Sequence, residues 1–335
     1  MKHLHLVVPD LILPKQLAEY ACGGLSLPYL EKLLARAASA PLSSGSLEAW
    51  LCEQFGLPSM PVAPVTLLAD GLQPGERYWL RADPVIFQMQ QSQLILQAAS
   101  GLQAEEAAAL CRSLNGHFAE EDFQFEAPHP QRWYLGLPFT PAIDCMPLPQ
   151  ALGEDMRECL PEGAEALRWH GLMNEMQMLL YGHEVNAARE ARGEAAVSGV
   201  WLWGGGKAVS LANSPFVAVA GSGDMAGAFA KAAGLPLRRS LLQLLADAEN
   251  GAVLLVWEGL GRAIQGADIA GWRDSLVQLE DQVIRPAWEA LMEGELERIT
   301  LDVLREGDAR RFVAQPSAKW KWWRKARKLS HYGGK

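Results

Sequence analysis

The chain has 335 residues, of which 49% are apolar and 21% charged. That length and composition supply a sizeable core, enough for two domains or one large α/β domain, and exclude a globally disordered protein. The net charge of −9 excludes a protein whose whole surface binds nucleic acid, but the charge is uneven: residues 319–335 hold seven Lys or Arg and no acid, leaving −16 on the remainder.

No stretch approaches the ~20 apolar residues needed to span a bilayer. The first fourteen residues are apolar but interrupted by His3, His5, Pro9 and Asp10, so they read as a buried strand rather than a secretion signal. Five scattered cysteines without a Cys-x-x-Cys pair predict reduced thiols and a cytoplasmic location, and no zinc site.

In chain order, a first strand is predicted over 4–8, ending at Pro9-Asp10, and helical periodicity follows over 17–22 and 29–38. Ser46 is placed to cap a helix running to Phe55. Segments 65–69 and 78–82 read as strands, 103–114 as a helix stopped at Asn115-Gly116, and 123–126 and 133–137 as strands before a Pro-rich stretch over 138–149. A long helix over 165–181 puts Leu172, Met176, Leu179 and Leu180 on one face, and a shorter one covers 185–192. Strands over 199–203, 216–220, 253–257 and 296–303 alternate with helices over 224–233 and 272–291. This alternation predicts a parallel α/β sheet covered on both faces.

The chemistry-bearing features are sparse. Gly221-Ser-Gly223 lies between a strand and a helix, where backbone N–H groups could cradle phosphate, but it lacks the dinucleotide spacing and a P-loop lysine and reads as a tight turn. There is no Gly-x-Ser-x-Gly elbow and no close His/carboxylate cluster. Asp10 and Asp302 are placed at strand ends, the ligand-binding edge of open α/β sheets. The basic tail interleaves its cations with Trp320, Trp322 and Trp323, a composition suited to nucleic acid, an anionic membrane or an acidic protein groove. The same tryptophans could instead pack back onto the body.

The run Asn174-Glu, His183-Glu-Val-Asn186, Arg189 and Gly193, followed by Val200-Trp-Leu-Trp-Gly-Gly-Gly206, resembles the archaeal-type cofactor-independent phosphoglycerate mutases. The whole chain more closely resembles the RpfE-type regulatory proteins, an offshoot of that family. Tyr78-Trp-Leu-Arg-Ala-Asp83 and His129-Pro-Gln-Arg-Trp133 add to the likeness. The resemblance implies an alkaline-phosphatase-like core, a mostly parallel sheet flanked by helices, with a smaller inserted α+β domain. The core is placed at 1–60 and 151–318, the insertion at 61–150 and the tail at 319–335.

The resemblance further implies two metals, manganese or zinc, that neutralise phosphate and activate a serine. In an active protein Ser46 would be that nucleophile and Asp10 and Asp302 metal ligands; the resemblance places Arg81, His129 and Arg132 as substrate-binding residues with or without activity. The family's Asp-x-x-Gly-His reads Glu258-Gly-Leu-Gly-Arg262 here, and no histidine lies between His183 and His331. The expected reading is therefore a catalytically degenerate protein without a cofactor. Its partner would be a protein or a phosphorylated small molecule, with Asn174, His183, Asn186 and Arg189 holding the fold. Trp320, Trp322, Trp323 and Arg324 are the partner-facing residues, and the oligomeric state is left open.

Overall fold

The computed structural model describes residues 2–211, 213–221, 223–247, 250–321 and 323–333. It divides into two compact units, Met1–Pro58 with Leu211–Lys335 and Ser59–Ser210. In chain order the first unit begins with β1 (Lys2–Pro9), α1 (Lys15–Ala21), α2 (Pro28–Arg36), β2 (Ala38–Pro41) and α3 (Leu47–Gln54). The second holds α4 (Val62–Ala69), β3 (Tyr78–Gln90), β4 (Gln93–Ala98), α5 (Ala104–His117), β5 (Gln124–His129) and β6 (Arg132–Leu137). It continues with α6 (Leu148–Ala151), α7 (Ala166–Tyr181), α8 (Glu184–Ala191) and β7 (Gly199–Gly206).

The chain then returns to the first unit through β8 (Phe216–Gly221), α9 (Asp224–Ala232), β9 (Leu237–Arg238), α10 (Leu241–Asp247) and β10 (Gly251–Val256). The helices α11 (Gly259–Gln265), α12 (Ile269–Leu279) and α13 (Arg285–Glu293) precede a closing hairpin of β11 (Arg298–Leu304) and β12 (Arg310–Ala314).

The first unit is a mixed α/β fold built on a large, mostly parallel sheet flanked by helices. Its strand order is β2-β12-β11-β1-β10-β8-β9, parallel from β11 to β9, with β12 and β2 antiparallel at one side. Alternation along β1 explains the two layers. Leu4, Leu6 and Val8 join Leu30 and Leu33 of α2, Trp272 and Leu276 of α12 and Leu291 of α13 in one buried cluster. His5 instead meets Trp50 of α3 and Phe216, with ring centroids 5.0 and 5.8 Å away. Burying both faces of a central strand is what parallel sheets require.

The second unit has an antiparallel sheet ordered β4-β3-β6-β5, with β7 also paired to β3. Residues 151–210, assigned from sequence to the core, belong with this unit because β7 hydrogen-bonds along β3 from Val85 to Trp79. Residues 319–335 fall within the first unit rather than forming a separate tail. Segment 65–69, expected as a strand, is the end of α4. All of Val62–Leu67 is buried there, and a helix buried on every side shows no alternation or periodicity that would separate it from a strand. Among the described residues no helix is long and apolar enough to cross a membrane.

Candidate functional site

The parallel strands of the first unit end together, at Pro9, Gly221, Val256 and Leu304. Asp10 follows β1 in a left-handed conformation (φ 53°), fixed by its N–H donating to Leu304 O (2.9 Å) and by Trp272 Nε1 donating to its carbonyl (3.0 Å). Burial pushes its carboxyl up, opposed by the charge of Arg305.

Asp302 is elsewhere. It lies inside β11, level with Val7, and not past the strand end as the sequence suggested. Three residue steps separate Val7 from Asp10, roughly 10 Å of rise. The Asp302 carboxylate also reaches back to His5, away from the strand ends. Arg311 Nε and Nη2 donate to its two oxygens (2.7 and 2.6 Å), His5 Nε2 lies 2.8 Å from Oδ2, and Trp50 Nε1 donates to Oδ2 (2.8 Å). Asp302 is fully buried. Burial alone would raise its carboxyl, but hydrogen bonds from Arg311 and His5 outweigh that and hold it below the usual carboxylate range.

These residues do not fit the metals that the resemblance implied. Asp302 spends both oxygens on a guanidinium, an indole and an imidazole, and Arg311 places a permanent positive charge where a second cation would be repelled. Among the described residues no three His, Cys, Asp or Glu side chains gather as a metal-binding group. Ser46 is the N-cap of α3, its Oγ accepting from the Ala49 N–H at 3.2 Å.

Glu258 follows β10 at the same edge. Residue Gly223, at the N-cap of α9, has no side chain to accept the helix's first N–H groups, and a Cβ there would collide with the Glu258 carboxylate. The glutamate fills that space and takes a backbone hydrogen bond from Ala226, three residues into the helix start. Among the described residues its buried Oε1 has no hydrogen-bond partner. Burial pushes its carboxyl up to about 7, opposed by Arg262 and reinforced by the negative charges of Glu48 and Asp224. Glu280 serves α2 in the same way, accepting from the Tyr29 and Leu30 N–H groups (2.7 and 2.9 Å) because Leu27 cannot cap it.

In the second unit the expected substrate arginines are already committed. Arg81 is buried, bonded to Asp83 (2.6 and 3.1 Å) and set over the rings of Tyr134 and Trp203. Arg132 forms a bidentate pair with Asp70 (both 2.6 Å). His129 is exposed at a strand end, its Nδ1 accepting from Gln131 N–H.

His183 caps α8, its Nδ1 accepting from Val185 N–H (3.1 Å) and its Nε2 2.8 Å from Ser113 Oγ. Asn186 ties Leu180 O to both backbone groups of Val197 (each 2.8 Å), and buried Arg189 bonds Glu106, Ala195 O and Ser100 O (2.9–3.0 Å). Asn174 stands apart from this network, exposed on α7. Of the expected partner-facing residues, Trp320 and Trp323 are exposed by 66% and 63%, whereas Trp322 lies outside the described residues. Arg311, His5, Trp50 and Glu258 were missed as site-forming residues. No local signal pairs Arg311 with Asp302, because the turn at Gly307 (φ 74°) leads into Arg310–Ala314, a strand with little apolar alternation.

The fold and this strand-end edge define an α/β protein of the open-sheet class. No known family pattern matches the chain. A probable 2,3-bisphosphoglycerate-independent phosphoglycerate mutase of Geobacter sulfurreducens is 29% identical over 120 residues, a match covering 35% of this chain and 29% of that relative. This is distant homology to the cofactor-independent phosphoglycerate mutases, over about a third of the chain. Among solved structures, the PH0037 protein from Pyrococcus horikoshii shares the fold at a TM-score of 0.59 and 11% identity, over 99% of this chain and 92% of that one. A cofactor-independent phosphoglycerate mutase from Thermoplasma acidophilum aligns over 99% of this chain and 94% of that one, at a TM-score of 0.45 and 14% identity.

Proposed function

We propose that the chain is a catalytically degenerate relative of the phosphoglycerate mutases, of the RpfE type, that regulates or binds rather than turns over substrate. The observation that carries this reading is the Asp302 node. A carboxylate at a position matched to a metal ligand is closed by Arg311, His5 and Trp50. Ser46, matched to the nucleophile, spends its Oγ on capping α3. A guanidinium can balance a buried carboxylate, but it offers no open position at which a phosphate or an attacking hydroxyl could be activated.

The reading is tested by assaying phosphoglycerate mutase and phosphatase turnover of the purified protein with manganese and with zinc, beside the Ser46→Ala variant. No turnover above background is expected from either protein. Metal-dependent turnover that vanishes in Ser46→Ala would replace this reading with an active phosphomutase or phosphatase whose site is rearranged around Asp10.

A further inference from the structure

Residues 319–321 and 323–333 fold back on the first unit. Leu329 is buried in its core, and Tyr332 packs edge-on against Phe312 with centroids 6.3 Å apart. Lys321 Nζ donates to Arg36 O and Arg324 Nη1 to Ala37 O, both at 3.2 Å. Both cations therefore sit on carbonyls at the C-terminal end of α2, where the helix dipole favours positive charge.

This return path encloses a cleft of about 780 Å³ against α2, β2 and β12. Buried Leu34 and Phe312 line it together with exposed Trp323, Arg324, Lys325 and Arg327. Among the described residues no carboxylate lines it. Arg310 also borders the cleft, but Asp308 neutralises it through two hydrogen bonds (2.7 and 3.0 Å). Glu31, the acidic neighbour of Tyr332, accepts from the Leu329 N–H (3.3 Å). Lys325 and Arg327 have no ion-pair partner among the described residues, and Arg324 meets a neutral carbonyl.

Three cations without an ion-pair partner among the described residues, beside an exposed indole and around a concave space of small-ligand size, make a recognition surface with two chemistries: anion binding and stacking. The geometry points to a nucleotide site here, with phosphate held by Arg324, Lys325 and Arg327 and the base against Trp323. An anionic membrane is a poorer match, since the segment is folded into a cleft and anchored by buried Leu329 rather than laid out as an amphipathic helix. The site is independent of the Asp302 node and does not rest on the degenerate-enzyme reading.

The test uses the full-length protein and measures binding of ATP, a fluorescein-labelled eight-nucleotide thymidylate strand, inorganic phosphate, and phosphatidylserine vesicles by calorimetry, anisotropy and co-sedimentation. ATP or the strand should bind, and weaken as salt rises from 50 to ~200 mM through counterion release. Lys325→Glu combined with Arg327→Glu should lower that affinity at least tenfold, with an unchanged melting temperature because both side chains are exposed. The charge-preserving Lys325→Arg with Arg327→Lys should retain binding. Trp323→Ala should weaken ATP and the strand but leave inorganic phosphate unaffected. A strand that binds more than tenfold tighter than ATP identifies single-stranded nucleic acid as the source of the nucleotide; comparable affinities identify free nucleotide. The proposal is overturned if neither probe binds at 50 mM salt, if binding survives the charge reversal, or if only the vesicles bind.

Discussion

Asp302 and Glu258 sit on the same parallel sheet and share a chemistry, yet the protein treats them in opposite ways. Asp302 is buried inside β11 and receives a bidentate guanidinium, an imidazole and an indole, so its charged form is the favoured one. Glu258 stands just past β10 with one backbone N–H from α9 and, among the described residues, no partner for Oε1; the charge of Arg262 acts on it, but burial and the negative charges of Glu48 and Asp224 prevail. The difference teaches that a buried carboxylate is defined by what closes around it. With a dedicated cation it becomes a structural tie, and without one it becomes a group that holds a proton near neutral pH.

The largest effect is expected from breaking the Asp302 tie. Arg311→Ala leaves a buried charge unpaired and should cost about 3–5 kcal/mol, read as a shifted denaturant midpoint. Arg311→Met combined with Asp302→Leu removes both charges and should recover part of that loss, the remainder being the Trp50 indole N–H and His5 imidazole left without their acceptor. If the single variant unfolds at the wild-type midpoint, the pair is not what holds β12 to β11.

Opposite pH responses sharpen the contrast. The Asp302 carboxyl is lowered by folding, so its stabilisation is present above its unfolded value of 3.8 and is lost as pH falls through the folded pKa. The Glu258 carboxyl is raised from 4.5 to about 7, so its contribution is complete below pH 4.5 and is lost as pH rises through 7. Glu258→Gln should therefore gain on wild type between pH 5 and 8, by on the order of 1–3 kcal/mol, measured by parallel urea titrations. A difference that stays flat across that range would remove Glu258 as the titrating group.

Gly223→Ala should destabilise by about 1–3 kcal/mol, because the new methyl displaces the carboxylate that serves the start of α9. Combining it with Glu258→Gly should lessen the cost by vacating the same space. The smallest effect belongs to Ser46→Ala, about 1 kcal/mol from the lost cap of α3, with no change at either carboxylate.

Much of the framework is legible because it depends on neighbours within one turn or one strand. The apolar run over 253–257 reads as a buried parallel strand, and Ser46 with Glu48 reads as a helix start; both occur where the pattern placed them, within a residue or two. The edge strands β2 and β12 were not legible. Ala38–Pro41 is exposed at every position, and Arg310–Ala314 follows a turn with little apolar alternation. Without β12, nothing in the sequence connects Arg311 to Asp302.

What the sequence by itself determined is therefore local: strands alternating with helices, a cap at Ser46, and a basic segment on an acidic body. Tertiary structure alone decided which cation meets Asp302, which carboxylate caps α9, and that the basic segment folds into a cleft. His5 and Asp302 are 297 residues apart, and Lys321 meets the end of α2 across 285. Propensity and capping act over about four residues, whereas charge compensation and burial are fixed only when distant strands come into register.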